Sequence, residues 1–441
     1  MRKTYIRCGW IITMNDENTV IRDGCIEISG KWLHRIHTDT INIFPKEDIV
    51  VIDAPHMVAL PGLIDIHTHV CGNLFKGLLE DARDGFYSLA LPMEKRLTPE
   101  FVYSLSLSGA AECLMGGITM VNDMYHCALS TAQAIDDLGM RGVVAGKIYE
   151  ADLTRLQYCD HTFNRATGQH RLEENIALIE KYGSGTNDRI FCRFGPHATD
   201  TISLDLAKKI SLLMEKYNVG CHIHAAQSQR EVDFLREAYN LSAIEFLEES
   251  GLLCNRTTAA HCLYVDDTDI SLLARGGVTL AHCPDMNGSK SGPLAPIYKL
   301  YKHNVSIAYG TDWTNSDLWS TMRMGIAVGR LSGCSSDERN ALDALRRCTI
   351  LPARHLGVDH LVGSLEAGKR ADLILVDLHH PGLCPIHDDP IATLVYNATA
   401  RDVDTVIVDG RILVNNKQLI SMDSDAIIAN AQRVAQHIFK S

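Results

Sequence analysis

From about residue 57 the chain alternates short apolar runs rich in β-formers with longer stretches of helical spacing. The short runs are MVALPGLIDI (57–66), GITMVND (117–123), RGVVAGKIY (141–149), RIFCRFGP (189–196), NVGCHIH (218–224), TTAAHC (257–262), GVTLAHC (277–283) and NVSIAYGTD (304–312), eight in all. Between them lie helix-like segments at 99–115, 129–139, 171–183, 203–217, 229–250, 267–275 and 294–303, followed by 316–331 and 337–356. Strands separated by helices pair in parallel, and eight such units close a (β/α)8 TIM barrel. The fold expected is therefore α/β, a barrel over residues 57–362.

The two ends of the chain carry a different pattern. TYIRCGWIITM (4–14) and DGCIEISGKWLHRI (23–36) at one end, with GKRADLILVDL (368–378) and DVDTVIVDGRILVNNKQLI (402–420) at the other, are short β-like runs broken by turns. Neither end has enough strands for a core of its own, so residues 1–56 and 363–441 are expected to meet as one small β-sandwich, with 424–441 as a terminal helix.

Length and composition fit this reading. A chain of 441 residues with 46% hydrophobic and 22% charged positions has room for a large barrel plus a lesser unit. The net charge of -12, from 42 basic and 54 acidic residues, offers no basic patch for nucleic acid or an anionic membrane. A small molecule is the expected partner. No apolar run approaches the roughly 18 residues of a membrane span, and the N-terminus has no secretory core. None of the 14 cysteines stands in a C-x-x-C spacing, and Cys71, Cys221, Cys262 and Cys283 sit beside histidines in apolar runs. This is the pattern of buried, reduced thiols in a cytoplasmic protein.

Polar residues collect where the strands end. His67 and His69 close the first run, His222 and His224 the fifth, His261 the sixth, His282 the seventh and Asp312 the eighth. The C-terminal strand ends form the active-site mouth of such a barrel. A single histidine there is more often a hydrogen-bonded core residue than a ligand, but five of eight strands ending this way points to chemistry. Imidazoles with one carboxylate suit Zn2+ or Fe2+, and an open position leaves room for a water whose pKa falls to about 7. Alternation along a strand lets both histidines of an H-x-H pair reach one side.

The stretches PGLIDIHTHV, HIHAAQ, AAHCLYVDD, AHCPDMNG and GTDWTNSD, with GSLEAGKRADLILVDL near the end, resemble the amidohydrolase superfamily. They are most similar to its branch of methylthioadenosine/S-adenosylhomocysteine deaminases and triazine chlorohydrolases and aminohydrolases. The resemblance implies one divalent transition metal, zinc before iron, held by His67, His69, His224 and Asp312. It makes Asp312 the proton acceptor as well and His261 the histidine that orients the attacking water. Glu94 falls where nucleoside deaminases carry a ribose-binding glutamate, and His197 where they carry a base-contacting histidine. His282 stands where a substrate-facing histidine is common. His222 is not required by the pattern and reads as structural, and a surface role is expected for Lys147 and Arg193.

Three positions depart from the pattern. Gln227 replaces the glutamate that shuttles a proton to the ring and leaving group; an amide hydrogen-bonds but does not titrate near neutrality. Bulky Trp313 follows the metal carboxylate, at the substrate's side of the site. Ser289 and Lys290 stand where an apolar residue flanked by small ones is usual. The expected activity is metal-dependent hydrolysis of a C–N bond in a small nitrogen heterocycle such as a purine, adenosine derivative, pterin or triazine. Two alternatives stay open: loss of a group that needs no proton, such as halide, and a catalytically silent metal-binding relative. If an acid has relocated, His282 and Glu231 are the candidates. The expected assembly is a homo-oligomer, dimer or tetramer.

Overall fold

The computed structural model describes residues 2–38, 45, 47–82, 84–183, 188–289 and 293–440. Four strands open the chain: β1 (Lys3–Ile12), β2 (Val20–Ser29), β3 (Trp32–His37) and β4 (Ile49–Pro61). Eight more follow: β5 (Leu63–Thr68), β6 (Ile118–Tyr125), β7 (Arg141–Ile148), β8 (Ile190–Pro196), β9 (Cys221–Ala225), β10 (Thr257–His261), β11 (Thr279–His282) and β12 (Ser306–Tyr309). The last are β13 (Leu373–Asp377), β14 (Val403–Val408), β15 (Arg411–Asn415) and β16 (Gln418–Leu419).

Strands β5 to β12 pair in parallel and in sequence order. A bridge between Thr68 and Asp312 joins the last to the first, giving the (β/α)8 barrel the alternation predicts. Strands β5 to β7 are buried at every residue, as expected for a sheet covered on one face by helices and on the other by the barrel's own interior. Two segments read as single helices are each divided. Residues 229–250 form Gln229–Tyr239 and Ala243–Ser250, separated by Asn240 at φ +55° and a capping box from Ser242 to Glu245. Residues 337–356 contain Ala341–Arg346 and Ile350–Leu356. The terminal helix Ser424–Lys440 buries Val434 and Ile438 against Val102 and Leu105 of the helix Pro99–Met115. Among the described residues no helix is long and apolar enough to cross a membrane.

Both termini build the second sheet, in the order β16-β15-β14-β13-β4-β1-β2-β3. It turns back on itself as a sandwich: Ile6, Ile26 and Leu33 share a core with Leu373, Leu375 and Ile407. The close approach of its two ends requires Gly410, whose φ is +69° and where a Cβ would lie 2.0 Å from the Gly30 carbonyl oxygen. The run 57–66 belongs to both units. Met57–Pro61 pair with β13, the chain passes Gly62, and Leu63 begins the barrel.

Arg141, at the start of β7, bolts the barrel to this sheet. Its guanidinium donates to both carboxylate oxygens of Asp372, at 2.8 and 3.0 Å, and to Asp409 at 2.8 Å. All three side chains are almost wholly buried. Truncating one partner of such a pair strands charge in the interior, at a cost of about 3–5 kcal/mol. Arg141→Ala is therefore expected to lower the unfolding free energy by that amount in urea titration, and a loss below about 1 kcal/mol would remove the bolt from this account.

Candidate active site

The C-terminal barrel mouth gathers His67 and His69 from β5, His224 from β9 and Asp312 just after β12, with one ligand atom of each within 4.8 Å of all the others. Three of the four are held by what lies behind them. His67 Nδ1 meets His222 Nε2 at 2.6 Å, His69 Nδ1 donates to the Met124 carbonyl at 2.6 Å, and His224 Nδ1 donates to the His197 carbonyl at 2.6 Å. Each ring thus spends Nδ1 on the protein and turns Nε2 inward. His222, which the sequence pattern does not require, is the residue that orients His67.

With Nδ1 donating to a carbonyl, the inward Nε2 atoms of His69 and His224 are acceptors, as is the Asp312 carboxylate. His69 Nε2 lies 3.3 Å from His224 Nε2, and Asp312 Oδ1 lies 3.3 Å from both His67 Nε2 and His69 Nε2. Burial keeps the His69 and His224 rings neutral. The His69 pKa is pushed down to about 4 by burial, against the opposing pull of Asp312, and that of His224 falls well below the usual value through burial and the surrounding imidazoles. Lone pairs facing each other at 3.3 Å, with His67 Nε2 buried and lacking a hydrogen bond, call for a cation between them. The edge of a tetrahedron with zinc–nitrogen bonds of 2.0–2.1 Å is about 3.3–3.4 Å. The donor set fits a divalent transition metal.

The backbone around the site is strained. Ala226, His261, Cys262 and Asp312 have φ of +51°, +76°, +46° and +66°, left-handed values that cost a non-glycine residue on the order of 1–3 kcal/mol each. Asp65 offsets part of this by accepting from the backbone of His67 and Thr311 and from the Thr311 hydroxyl, at 3.1, 3.2 and 2.6 Å. Glu231 does the same after β9. Its carboxylate accepts from the Ala226 and Gln227 N–H groups at 2.9 and 2.7 Å and from the Thr199 hydroxyl.

A small chamber surrounds the ligand atoms. Its walls include His197, Gln227, His261 and Lys147, closed by Phe86, Tyr125 and Trp313. His261 Nδ1 meets Asn287 Oδ1 at 3.0 Å and its Nε2 lies 3.7 Å from Asp312 Oδ2. Trp313 stacks on Phe75 at 5.2 Å and stands edge-on to His69. Phe86, Gln227, His261 and Trp313 also wall an adjoining cavity of about 670 Å³ that reaches Tyr264, Met286 and Ser289. Lys290 lies outside the described residues.

The remaining candidates sit elsewhere. Glu94 faces a separate cavity of about 750 Å³ together with His126 and Arg171. It reaches the chamber through Lys147, whose ammonium donates to Glu94 Oε2 at 2.7 Å. Against its burial, Lys147 and His126 hold the Glu94 carboxyl well below the usual range. His282 is buried, and neither of its ring nitrogens has a hydrogen-bond partner among the described residues. Burial, Arg339 and Arg347 push it down to about 3.

Two expectations are corrected. Lys147 and Arg193 are not surface residues; each is 5% exposed. Arg193 fills the barrel's lower interior, donating to the Arg256 carbonyl and the Thr258 hydroxyl at 3.1 and 3.0 Å. A cation inside a continuous apolar run was the available signal, because a buried strand admits one only when it is bonded. Asn287, Tyr125 and His126 carried no spacing that marked them.

Comparison with known proteins agrees with this geometry. The amidohydrolase family model matches residues 58–413. A 5'-deoxyadenosine deaminase of Methanobrevibacter smithii is 32% identical over 96% of this chain and 99% of its own. A 5-methylthioadenosine/S-adenosylhomocysteine deaminase of Symbiobacterium thermophilum is 34% identical over 88% of each. Among solved structures, an adenosine deaminase from Xanthomonas campestris with bound zinc superposes with a TM-score of 0.89 at 25% identity, covering 100% of this chain and 99% of that one. Zinc-bound atrazine chlorohydrolase from Arthrobacter aurescens shares the fold, with a TM-score of 0.85 at 23% identity over 98% of this chain and 100% of that one. By the family model and by relatives similar along nearly its whole length, this chain belongs to the amidohydrolase family.

Proposed function

We propose that the protein is a metal-dependent aminohydrolase that replaces the amino group of a small nitrogen heterocycle, a purine or adenosine derivative before a pterin or triazine, with oxygen from water. The observation that carries this reading is the set of four acceptors from His67, His69, His224 and Asp312 facing one another beside His261. The deaminases similar along the chain support the substrate class, and the zinc in a structural relative supports zinc over iron.

His67, His69, His224 and Asp312 would hold a divalent transition metal, which would supply activation of a water toward hydroxide near neutrality. Asp312, with its Oδ2 near His261, is placed to take a proton from the attacking water. His261, directed by Asn287, orients the water and polarises the ring. Trp313 and Phe86 offer flat apolar walls for a heterocycle, and Gln227 and His197 offer hydrogen bonds to its edge. Glu94 reads any sugar only from the far side of Lys147, and His282 acts from behind the chamber through His261. The second reading, departure of a group needing no proton, is favoured by one observation: Gln227 lines the chamber where the family's acid is expected.

Fourteen free thiols support a reducing, cytoplasmic setting. Exposed Leu78, Met115, Ile428 and Phe439 along the groove beside the terminal helix support a homo-oligomer.

Elemental analysis tests the metal site. Wild-type protein is expected to carry one zinc or iron per chain and His69→Ala to lose it, while His222→Ala, which removes only the support behind His67, should weaken metal affinity roughly 10–100-fold. Full metal retention by His69→Ala would overturn the ligand set.

Ammonia release from a panel of amino-purines, adenosine derivatives, aminopterins and amino-triazines tests the reaction. Turnover of at least one is expected, and Gln227→Glu should raise it at unchanged metal content, by up to roughly 10²–10⁴-fold where proton delivery limits the rate. Release of halide but never of ammonia would favour the second reading, and no turnover of any kind the silent one.

A further inference from the structure

With Gln227 in place, the proposed reaction lacks an acid on the loop after β9. The chamber wall offers few substitutes. His197 has Nδ1 beside the Thr201 hydroxyl at 3.2 Å, and burial holds its pKa well below the usual value, so it stays neutral. Burial pushes the Tyr125 hydroxyl well above its ordinary range. Glu231 is turned away, its oxygens taken by two backbone amides and Thr199. Among the described residues, one cationic side chain lines the chamber, Lys147.

Lys147 enters from the third barrel strand. Its ammonium makes one hydrogen bond among the described residues, to Glu94 Oε2 at 2.7 Å, which leaves two N–H donors of three. Glu94 Oε2 also accepts from His126 Nε2 at 2.8 Å, so Lys147 is anchored from the far side. The groups around it are Glu94, His126, Tyr125, His197, His69 and Arg171. Burial lowers its pKa, with Arg171 adding to the fall and Glu94 opposing it. The lowered pKa makes this ammonium a readier proton donor than one in water.

We propose that Lys147 is the general acid that protonates the departing nitrogen, the task a carboxylic acid at position 227 would otherwise perform. The proposal rests on the aminohydrolase reading above. The water oxygen bonds to the ring carbon, and one water proton passes by way of Asp312 to the ring nitrogen that receives the displaced electron pair. The exocyclic C–N bond then breaks with its electron pair on nitrogen, which takes a proton from Lys147 and leaves as ammonia. The hydroxyl on carbon becomes the new carbonyl, its proton goes to Asp312, and that proton returns to neutral Lys147 through solvent. One water is consumed and the protein is unchanged.

Lys147→Arg keeps the charge and the reach to Glu94 but cannot release a proton near neutrality; Lys147→Met removes both. Each is compared with wild type on a matched amino- and chloro-substituted ring, with metal content and circular dichroism as checks on folding. Both variants should lose roughly 10²–10⁴-fold in kcat for ammonia release, with little change in KM and little loss on the chloro ring, whose chloride departs unprotonated. Adding Gln227→Glu to either variant should restore deamination, which a purely structural role for Lys147 would not allow. Equal losses on both rings, a raised KM at unchanged kcat, or full activity of Lys147→Arg would each overturn the proposal. Wild-type protein inactive on every aminated ring would bring down the aminohydrolase reading and this proposal with it, whereas active wild type with unimpaired variants overturns this proposal alone.

Discussion

The eighth barrel strand meets the first through the backbone of the ligand residues themselves. Asp312 N–H donates to the His67 carbonyl at 2.9 Å, and His69 N–H donates to the Asp312 carbonyl at 2.9 Å. Gly310 makes the approach possible, since a Cβ there would lie 2.7 Å from the His67 carbonyl oxygen and 2.9 Å from His67 Cβ. Closing the barrel and assembling three of the four ligands are therefore one event. The fourth, His224, is fixed across β8 and β9 by a backbone bond and a ring bond to the same His197 carbonyl, at 3.1 and 2.6 Å. The ligand geometry inherits the rigidity of the barrel, which is what a site tolerating errors of about 0.5 Å requires.

Because the ligands converge as acceptors, the protein without a cation carries repulsion it cannot relieve by rotating a ring: every Nδ1 is already bonded. Left-handed φ values at Ala226, His261, Cys262 and Asp312 add to this. The offsetting stabilisation lies lower in the barrel and in the terminal sandwich, where Arg141, Asp372 and Asp409 join the two units. Strain at the mouth and packing at the base make a division of labour common to barrel enzymes.

Much of this was legible in the sequence, for physical reasons. Eight apolar runs, five of them with histidine or aspartate at their ends, are visible because a parallel strand is buried on both faces and seldom admits polar side chains away from its mouth. Both terminal segments reveal a sandwich because neither can form a core alone. The division of residues 57–66 at Gly62 was hidden, since two strands of different sheets joined by one glycine have the same hydropathy as one long strand. Lys147 and Arg193 were misread because long basic side chains are usually solvated; their partners, Glu94 at a separation of 53 residues and Thr258 at 65, are brought near only by the fold. Glu231 shows the opposite error. A carboxylate one turn beyond Gln227 has the spacing of a substitute acid, yet it closes the turn at the foot of the loop, and nothing in the spacing says which way it points.

Gln227 then has a place in this architecture. The ligands lie in the seam of the barrel, where a change of side chain disturbs closure, whereas position 227 lies on a loop whose backbone Glu231 and Thr199 hold whatever side chain it carries. Water activation and proton delivery are thus mechanically separable: the first is built into the strands, the second into what faces the chamber from its rim. An amide at 227 leaves the ligand set, His261 and the Asn287 contact as they are, and takes a titrating group from the substrate's edge while keeping its hydrogen bonding. Lys147, backed by Glu94 and His126, also lines the chamber. A cation there compensates, in the low-dielectric chamber, for the negative charge that builds on a ring as water adds to it. An amide at 227 with a buried cation at 147 keeps the chamber polarised toward the same chemistry, with the proton source relocated within the chamber wall rather than removed.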